Sequence, residues 1–286
     1  SFKEFADNNF SDINLIHVNA DTIPMLYVEK GRNFFKNKYN IGYWTWELSD
    51  FPDEWLQSFN YCDEIWVPSS FVLASIAKKS PNPVLEIPIA ISVNKLKDVK
   101  RSHFGLKNTD FIFLFIFDFL SYFERKNPRG IVKAFKRAFL SSENVRLVIK
   151  CCNSSFDPQA MDSLKDAAQD LNIDIIDKYL YRDEVNTLTS LCDSYISLHR
   201  SEGFGLTLAE AMCLGKPVIA TGYSGNADFM NINNSYLVKY KLAEIEKDVG
   251  PYKKGCVWAE PDIQHAAELM RCVYENREAS REIGKI

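Results

Sequence analysis

Several shortages bound what this 286-residue chain can be. It has no Cys-x-x-Cys pair. Cys62, Cys151, Cys152, Cys192, Cys213, Cys256 and Cys272 are irregularly spaced, which argues against a zinc framework and for reduced thiols, several of them buried. It has no excess of positive charge. The 34 Lys and Arg against 38 Asp and Glu give a formal net charge of −4, and the cations are scattered, so nucleic acid is not an expected partner. It has no long apolar run. The longest, Phe111 to Phe117, is far short of the roughly 20 residues of a membrane-spanning helix and reads as a central strand. The polar start Ser1-Phe2-Lys3-Glu4 lacks the apolar segment of a secretory leader. No Asp-x-Asp metal motif is present, and no cofactor is expected. What remains is 46% apolar and 25% charged, the balance of a globular protein, at a length that suits about two domains.

The stretch from His199 to Ala220 is the most informative. Ser201 to Gly205 carry two glycines and no β-branched residue, which predicts a sharp turn. Leu206 to Leu214 predict a helix, with Gly215 placed for a left-handed C-terminal cap and Pro217 unable to continue it. Val218-Ile219-Ala220 predict a short buried parallel strand. Glu202 lies in the turn and Glu210 in the helix, with seven residues between them. The helix is otherwise almost wholly apolar, so both of its faces are expected to be buried. An ionised Glu210 then needs donors or a cation. Ribose hydroxyls are one such set, and an internal cation such as Arg200 is the alternative. The amides from Gly205 to Thr207 open the helix and are placed to hold a phosphate.

The run Glu202-Gly203-Phe204-Gly205-Leu206-x-x-x-Glu210-Ala211-Met212-x-x-Gly215-x-Pro217-Val218-Ile219-Ala220 resembles the E-x7-E signature of family 4 retaining glycosyltransferases. The match is long and gapless. The resemblance implies an α/β chain of GT-B type, with two Rossmann-like domains facing across a cleft. It also implies that Glu210 binds the nucleotide ribose, that Glu202 lies beside the donor sugar, and that Gly203, Phe204, Gly205, Leu206 and Thr207 line the donor site. In such enzymes a lysine and an earlier arginine neutralise the diphosphate. Lys126 matches the lysine. No arginine occupies the earlier position, where Asp118 lies, so Arg125 is the lesser inference. A solvated basic pair is the alternative. Relatives often carry Gly-Gly-x-x-Glu after the next strand. Ser224-Gly225-x-x-Asp228 is a variant of it, with amides that either line the donor sugar or form a plain turn.

Along the first part of the chain, Ile13–Val18, Tyr39–Trp44, Glu64–Val67 and Val84–Pro88 read as strands. Asp53–Tyr61 and Phe71–Lys79 read as helices, the latter capped by Ser69 or Ser70. This alternation predicts a parallel sheet with right-handed crossovers, whose strand ends carry His17, Glu47 and Ser69. His17 reads more readily as a hydrogen-bonded core residue than as a catalyst, and Tyr43, Trp44 and Trp46 more readily as core than as a sugar platform. Many relatives end the strand before Glu47 with a histidine. None is present here, so Glu47 is the acceptor-side candidate. Ile89–Arg101 reads as a solvated, lysine-rich connector.

The expected organisation is therefore residues 1–91 as a shortened acceptor-side domain, 92–262 as the nucleotide-sugar domain, and 263–286 as a terminal helix returning towards the first domain. In the second domain, helices are expected over Gly130–Leu140, Pro158–Asp170 and Glu184–Cys192, strands over Val145–Lys150, Ile173–Ile176 and Ser194–Leu198, and tyrosines at Tyr179 and Tyr181 that either stack on a base or pack. The activity implied is transfer of a sugar from a nucleotide-sugar to a glycan, a lipid-linked or another acceptor. It would proceed with retention and without metal, in polysaccharide biosynthesis, in the cytoplasm or peripherally at the membrane face. A non-catalytic nucleotide-sugar-binding module that needs a partner chain or an oligomer is the other reading.

Overall fold

The structure is a computed structural model that describes residues 11–285. The chain divides into two compact units, one ending at Ile89 and one beginning at Ala90.

The first unit is built on four parallel strands, β1 (Ile13–Ile16), β2 (Tyr39–Tyr43), β3 (Glu64–Val67) and β4 (Val84–Glu86), in sequential order. The segment between β1 and β2 holds α1 (Ile23–Lys30) and α2 (Arg32–Phe35), separated by Gly31 at φ 75°. Residues Asp53–Tyr61, expected as an ordinary helix, take the tighter 3-10 form. They bring Trp55 and Phe59 onto Phe51, Trp44 and Trp46. Trp44 and Trp46 are core residues, as the sequence implied. Helix α3 (Ser70–Ala77) starts where the Ser69 hydroxyl accepts the Val72 amide at 3.3 Å. His17, expected in the core, is instead exposed, with its ring 4.7 Å from Tyr43. It lies just beyond the end of β1, where Asn14 and Ile16 are the buried residues.

The second unit has six parallel strands in the order β10-β9-β8-β5-β6-β7. Strand β5 (Phe111–Asp118) is apolar on both faces because it is central and covered on both sides. It is followed by α4 (Phe123–Lys126), α5 (Pro128–Ala138), β6 (Val145–Cys152), α6 (Pro158–Ala168) and β7 (Ile173–Asp177). Helix α5 begins two residues before Gly130 because Pro128 fits the first helical position and the Asn127 side chain caps it. The chain then returns to the other side of β5 through α7 (Arg182–Leu191), β8 (Ser194–Ser197), α8 (Leu206–Cys213), β9 (Val218–Thr221) and β10 (Tyr236–Val238). Helices α5 and α6 cover one face, around Phe113, Phe115, Leu147 and Ile149. Helices α7 and α8 cover the other, around Ile112, Leu114, Val148 and Tyr195. The reversal of strand order between β5 and β8 creates a topological switch point, where ligands meet open α/β sheets.

Two features depart from the sequence reading. An antiparallel pair, β11 (Tyr240–Glu244) and β12 (Val257–Pro261), follows the sheet. Its alternating apolar and polar residues were the available signal. The connector before β5 is pinned rather than free. The Leu96 amide donates to Thr187 at 2.9 Å, and Arg101 pairs with Asp193 at 2.7 Å. Helices α9 (Ile263–Glu275) and α10 (Arg277–Gly284) end the described chain, and α9 lies on α5 and on the β9–β10 edge of its own unit. No helix among the described residues is long and apolar enough to cross a membrane.

Candidate donor site at the sheet switch point

The site forms where β5 and β8 end. After β5 the chain turns through Tyr122, at φ 65°, into α4. The Arg200 amide donates to the Arg125 carbonyl at 2.8 Å and the Asn127 side chain to the Leu198 carbonyl at 2.9 Å, so the two loops are joined through the backbone.

This junction brings three charged groups together. Lys126 Nζ lies 2.5 Å from Glu202 Oε1, and the Arg125 guanidinium lies 3.2 Å from Oε2. Arg125 also donates to the Ser201 carbonyl at 2.9 Å and stands over the Tyr252 ring. All three residues are largely buried. Burial alone would raise the Glu202 pKa, but Lys126 and Arg125 outweigh it and hold the carboxyl at about 2. Glu202 is thus a fixed anion suited to accepting hydrogen bonds rather than protons. Two cations around one carboxylate leave a net positive centre that suits a second anion.

The loop after β9 completes the turn. The Glu202 amide donates to Ser224 Oγ at 2.8 Å, and the Gly225 amide donates to the Glu202 carbonyl at 2.9 Å. Ser224 holds φ 76°, a costly conformation for a residue with a side chain, and its hydroxyl is spent inside the fold. Ser224 and Gly225 therefore position Glu202. Below them His199 is fully buried, with Nε2 3.0 Å from Asn226 Oδ1 and Nδ1 3.1 Å from Ser197 Oγ. The Asn226 amide in turn donates to the Thr221 carbonyl at 3.0 Å. Protonation on Nε2 satisfies every partner. Burial lowers the His199 pKa from 6.5 to about 4, because the charged form would lose its hydration.

This network predicts a pH dependence. A histidine whose folded pKa is depressed stabilises the fold fully above its unfolded value and loses that contribution as pH falls from 6.5 towards 4. The loss amounts to about 3 kcal/mol across that window. Glu202 contributes separately, with its stabilisation lost as pH falls from 4.5 towards 2. Denaturant unfolding from pH 7 to 4 should slope steeply in the wild type and be flatter in His199→Asn. Parallel curves for the two proteins would remove the assignment.

The helix motif lies beside this centre. Gly205, at φ 93°, caps α8, as only a residue without a Cβ does easily. The Leu206 and Thr207 amides have no intrahelical acceptor, being in the first turn. Phe204 packs on Phe229 at 5.1 Å. Gly215, at φ 69°, ends the helix as expected. Helix α8 is less enclosed than its composition implied. Glu210 is buried but Cys213 is exposed. The partner of Glu210 is Arg182 at the start of α7, whose side chain is 56% exposed. Burial raises the Glu210 pKa in spite of Arg182. Arg200, the internal cation considered from sequence, pairs instead with Glu260 at 2.6 Å and covers the Trp258 ring. Arg182 carried no spacing signal, because it meets Glu210 only through the fold. Tyr179 and Tyr181, on the loop before α7, are exposed and meet edge to face. Glu47 is half-buried on the loop after β2 in the first unit. Among the described residues, no group of three or more His, Cys, Asp or Glu lies close enough to hold a metal ion.

The fold is that of an α/β chain of GT-B type with Rossmann-like parallel sheets. Residues 97–286 match the family described as Glycosyl transferases group 1, and the chain belongs to that family. Solved structures with the same fold include TarM (14% identity, TM-score 0.67, covering 96% of this chain and 50% of that one). They include HepE from Anabaena in complex with UDP and glucose (15% identity, TM-score 0.67, covering 95% and 71%). Sucrose-phosphate synthase from Thermosynechococcus elongatus is another (15% identity, TM-score 0.72, covering 95% and 67%). This chain thus spans half the length of the TarM chain. Comparison with curated protein sequences returns no match.

Proposed function

We propose that this chain is the donor-binding and catalytic part of a glycosyltransferase. It would move a sugar from a nucleotide-sugar to a glycan or lipid-linked acceptor with retention of anomeric configuration. The observation that carries the proposal is the cluster of Arg125, Lys126 and Glu202 beside the unpaired amides of α8. Breaking the bond between anomeric carbon and phosphate places negative charge on the departing diphosphate. Lys126, Arg125 and the Leu206 and Thr207 amides would stabilise that charge where it grows, and with these donors no metal need do so. Glu202, held anionic by the same cations, would accept hydrogen bonds from the sugar. Glu210 and Arg182 would flank the ribose, the carboxylate accepting from its hydroxyls. Glu47 is the acceptor-side candidate carried by the first unit.

The test is binding and turnover. The chain should bind a nucleoside diphosphate and release one from a nucleotide-sugar when an acceptor is present. Glu210→Ala should weaken nucleotide binding about tenfold or more, the worth of a lost charge-assisted hydrogen-bond pair. Stability should hold in that variant, because Arg182 is already solvated. Unaltered nucleotide affinity in Glu210→Ala would sink the ribose role. Binding without release, cured by adding a second chain, would favour the module reading.

A further inference from the structure

Lys150 lies on β6, between Ile116 of β5 and Ile176 of β7. It is 4% exposed, yet makes no hydrogen bond or ion pair with any of the described residues. Its ammonium is not among the enclosed polar atoms that lack a partner, so the stem is buried while the charged end reaches solvent, with three donors that an acceptor can take. The neighbouring carboxylates that act on the adjacent Cys152 are engaged elsewhere. Asp118 takes the Asn153 side-chain amide at 2.9 Å, and Asp177 takes the Ser154 hydroxyl at 2.5 Å.

The position of Lys150 in the sheet says what it faces. Side chains alternate along a strand. Ile149 and Cys151 belong to the core on the α5 and α6 side, whereas Ile116 and Ile176, level with Lys150, pack on the side of α7 and α8. That face carries Arg182 and Glu210. Reading across the sheet, β8 leads into Glu202, β5 into Lys126, and β6 comes next. Lys150 thus stands about 4.8 Å, one strand spacing, beyond the strand that leads to Lys126. Sugar, diphosphate and ribose of a nucleotide-sugar would occupy the strand ends in that order, which leaves the base over β6 and β7.

We propose that Lys150 reads the base of the donor nucleotide, its ammonium donating to a ring keto oxygen. This selects uracil or guanine over adenine, which presents an amine where the other two present an oxygen. The inference rests on the donor-site reading above. It adds a charged, largely buried residue that makes no hydrogen bond or ion pair with the described residues.

Isothermal titration of the full chain with UDP, GDP and ADP, in the wild type and in Lys150→Met, tests it. UDP or GDP should bind at least about tenfold tighter than ADP, because a site built to hydrogen-bond a group rejects an analogue that lacks it. In Lys150→Met that preference should collapse through loss of the preferred nucleotide, with ADP unchanged. Without ligand, Lys150→Met should melt close to the wild type, since the substitution removes no hydrogen bond or ion pair among the described residues. A lower melting temperature would mean that Lys150 is satisfied within the fold and would overturn the proposal. So would a preference retained in Lys150→Met, or ADP bound as tightly as UDP and GDP by the wild type. Either binding result leaves the donor site intact. Failure of all three nucleotides to bind would instead remove the donor-site reading and Lys150 with it.

Discussion

Lys126→Ala lowers nucleoside-diphosphate release by about 10²–10³-fold while nucleotide binding weakens far less, the pattern of a group that acts mainly on charge developing in the transition state. Its ammonium lies 2.5 Å from Glu202 at the mouth of the β5–β8 crevice, and Arg125, at 3.2 Å, is held further in by the Ser201 carbonyl. Of the two cations, Lys126 is the one on a flexible stem that can follow a phosphate oxygen. The substitution also leaves Glu202 with a single cation, at a cost of up to about 3 kcal/mol, less than that of an orphaned buried charge. The two effects separate by experiment. Turnover of the folded fraction should stay low at 10 °C, where a merely destabilised protein would recover. Release within threefold of the wild type would remove Lys126 from the chemistry.

Gly225→Ala should be the most damaging change to the scaffold. A Cβ at Gly225 would lie 2.2 Å from the Gly203 carbonyl oxygen and 2.8 Å from the Phe204 amide nitrogen, both backbone atoms that cannot swing aside. Making room separates the two loops and breaks the Gly225-to-Glu202 and Glu202-to-Ser224 hydrogen bonds. The expected cost is about 3 kcal/mol, with loss of donor binding because Glu202 is displaced from its cations. Gly222→Ala, three residues earlier, is the control. Its Cβ would meet Leu237 at 3.4 Å, an ordinary contact, and the variant should bind and melt nearly as the wild type. Equal behaviour of the two variants would show that the loops are not closely joined.

The family resemblance and the local structure of the motif were both legible in the sequence. The turn at Gly205, the helix from Leu206, the cap at Gly215 and the strand from Val218 stand where composition placed them. Each depends on a φ that only glycine adopts easily, on helix propensity, or on proline's missing donor, all properties of residues within a turn or two of one another. The central strand at Phe111 was legible for a similar reason, since only a strand covered on both faces is apolar at every position. The exposure of Cys213 and His17 was not, because composition gives the chemistry of a residue but not which neighbours cover it.

The sequence by itself determined most elements of the two parallel sheets, their order and the two carboxylates proposed for the donor site. The tertiary structure decided what each carboxylate holds. Glu202 meets Lys126 across 76 positions of chain and Glu210 meets Arg182 across 28, pairings that no periodicity encodes. They arise because the sheet doubles back, setting the end of β5 beside that of β8 and the start of α7 beside α8. Propensity acts along the chain and fades within a few residues, whereas charge acts through space and answers only to where the strands have been laid.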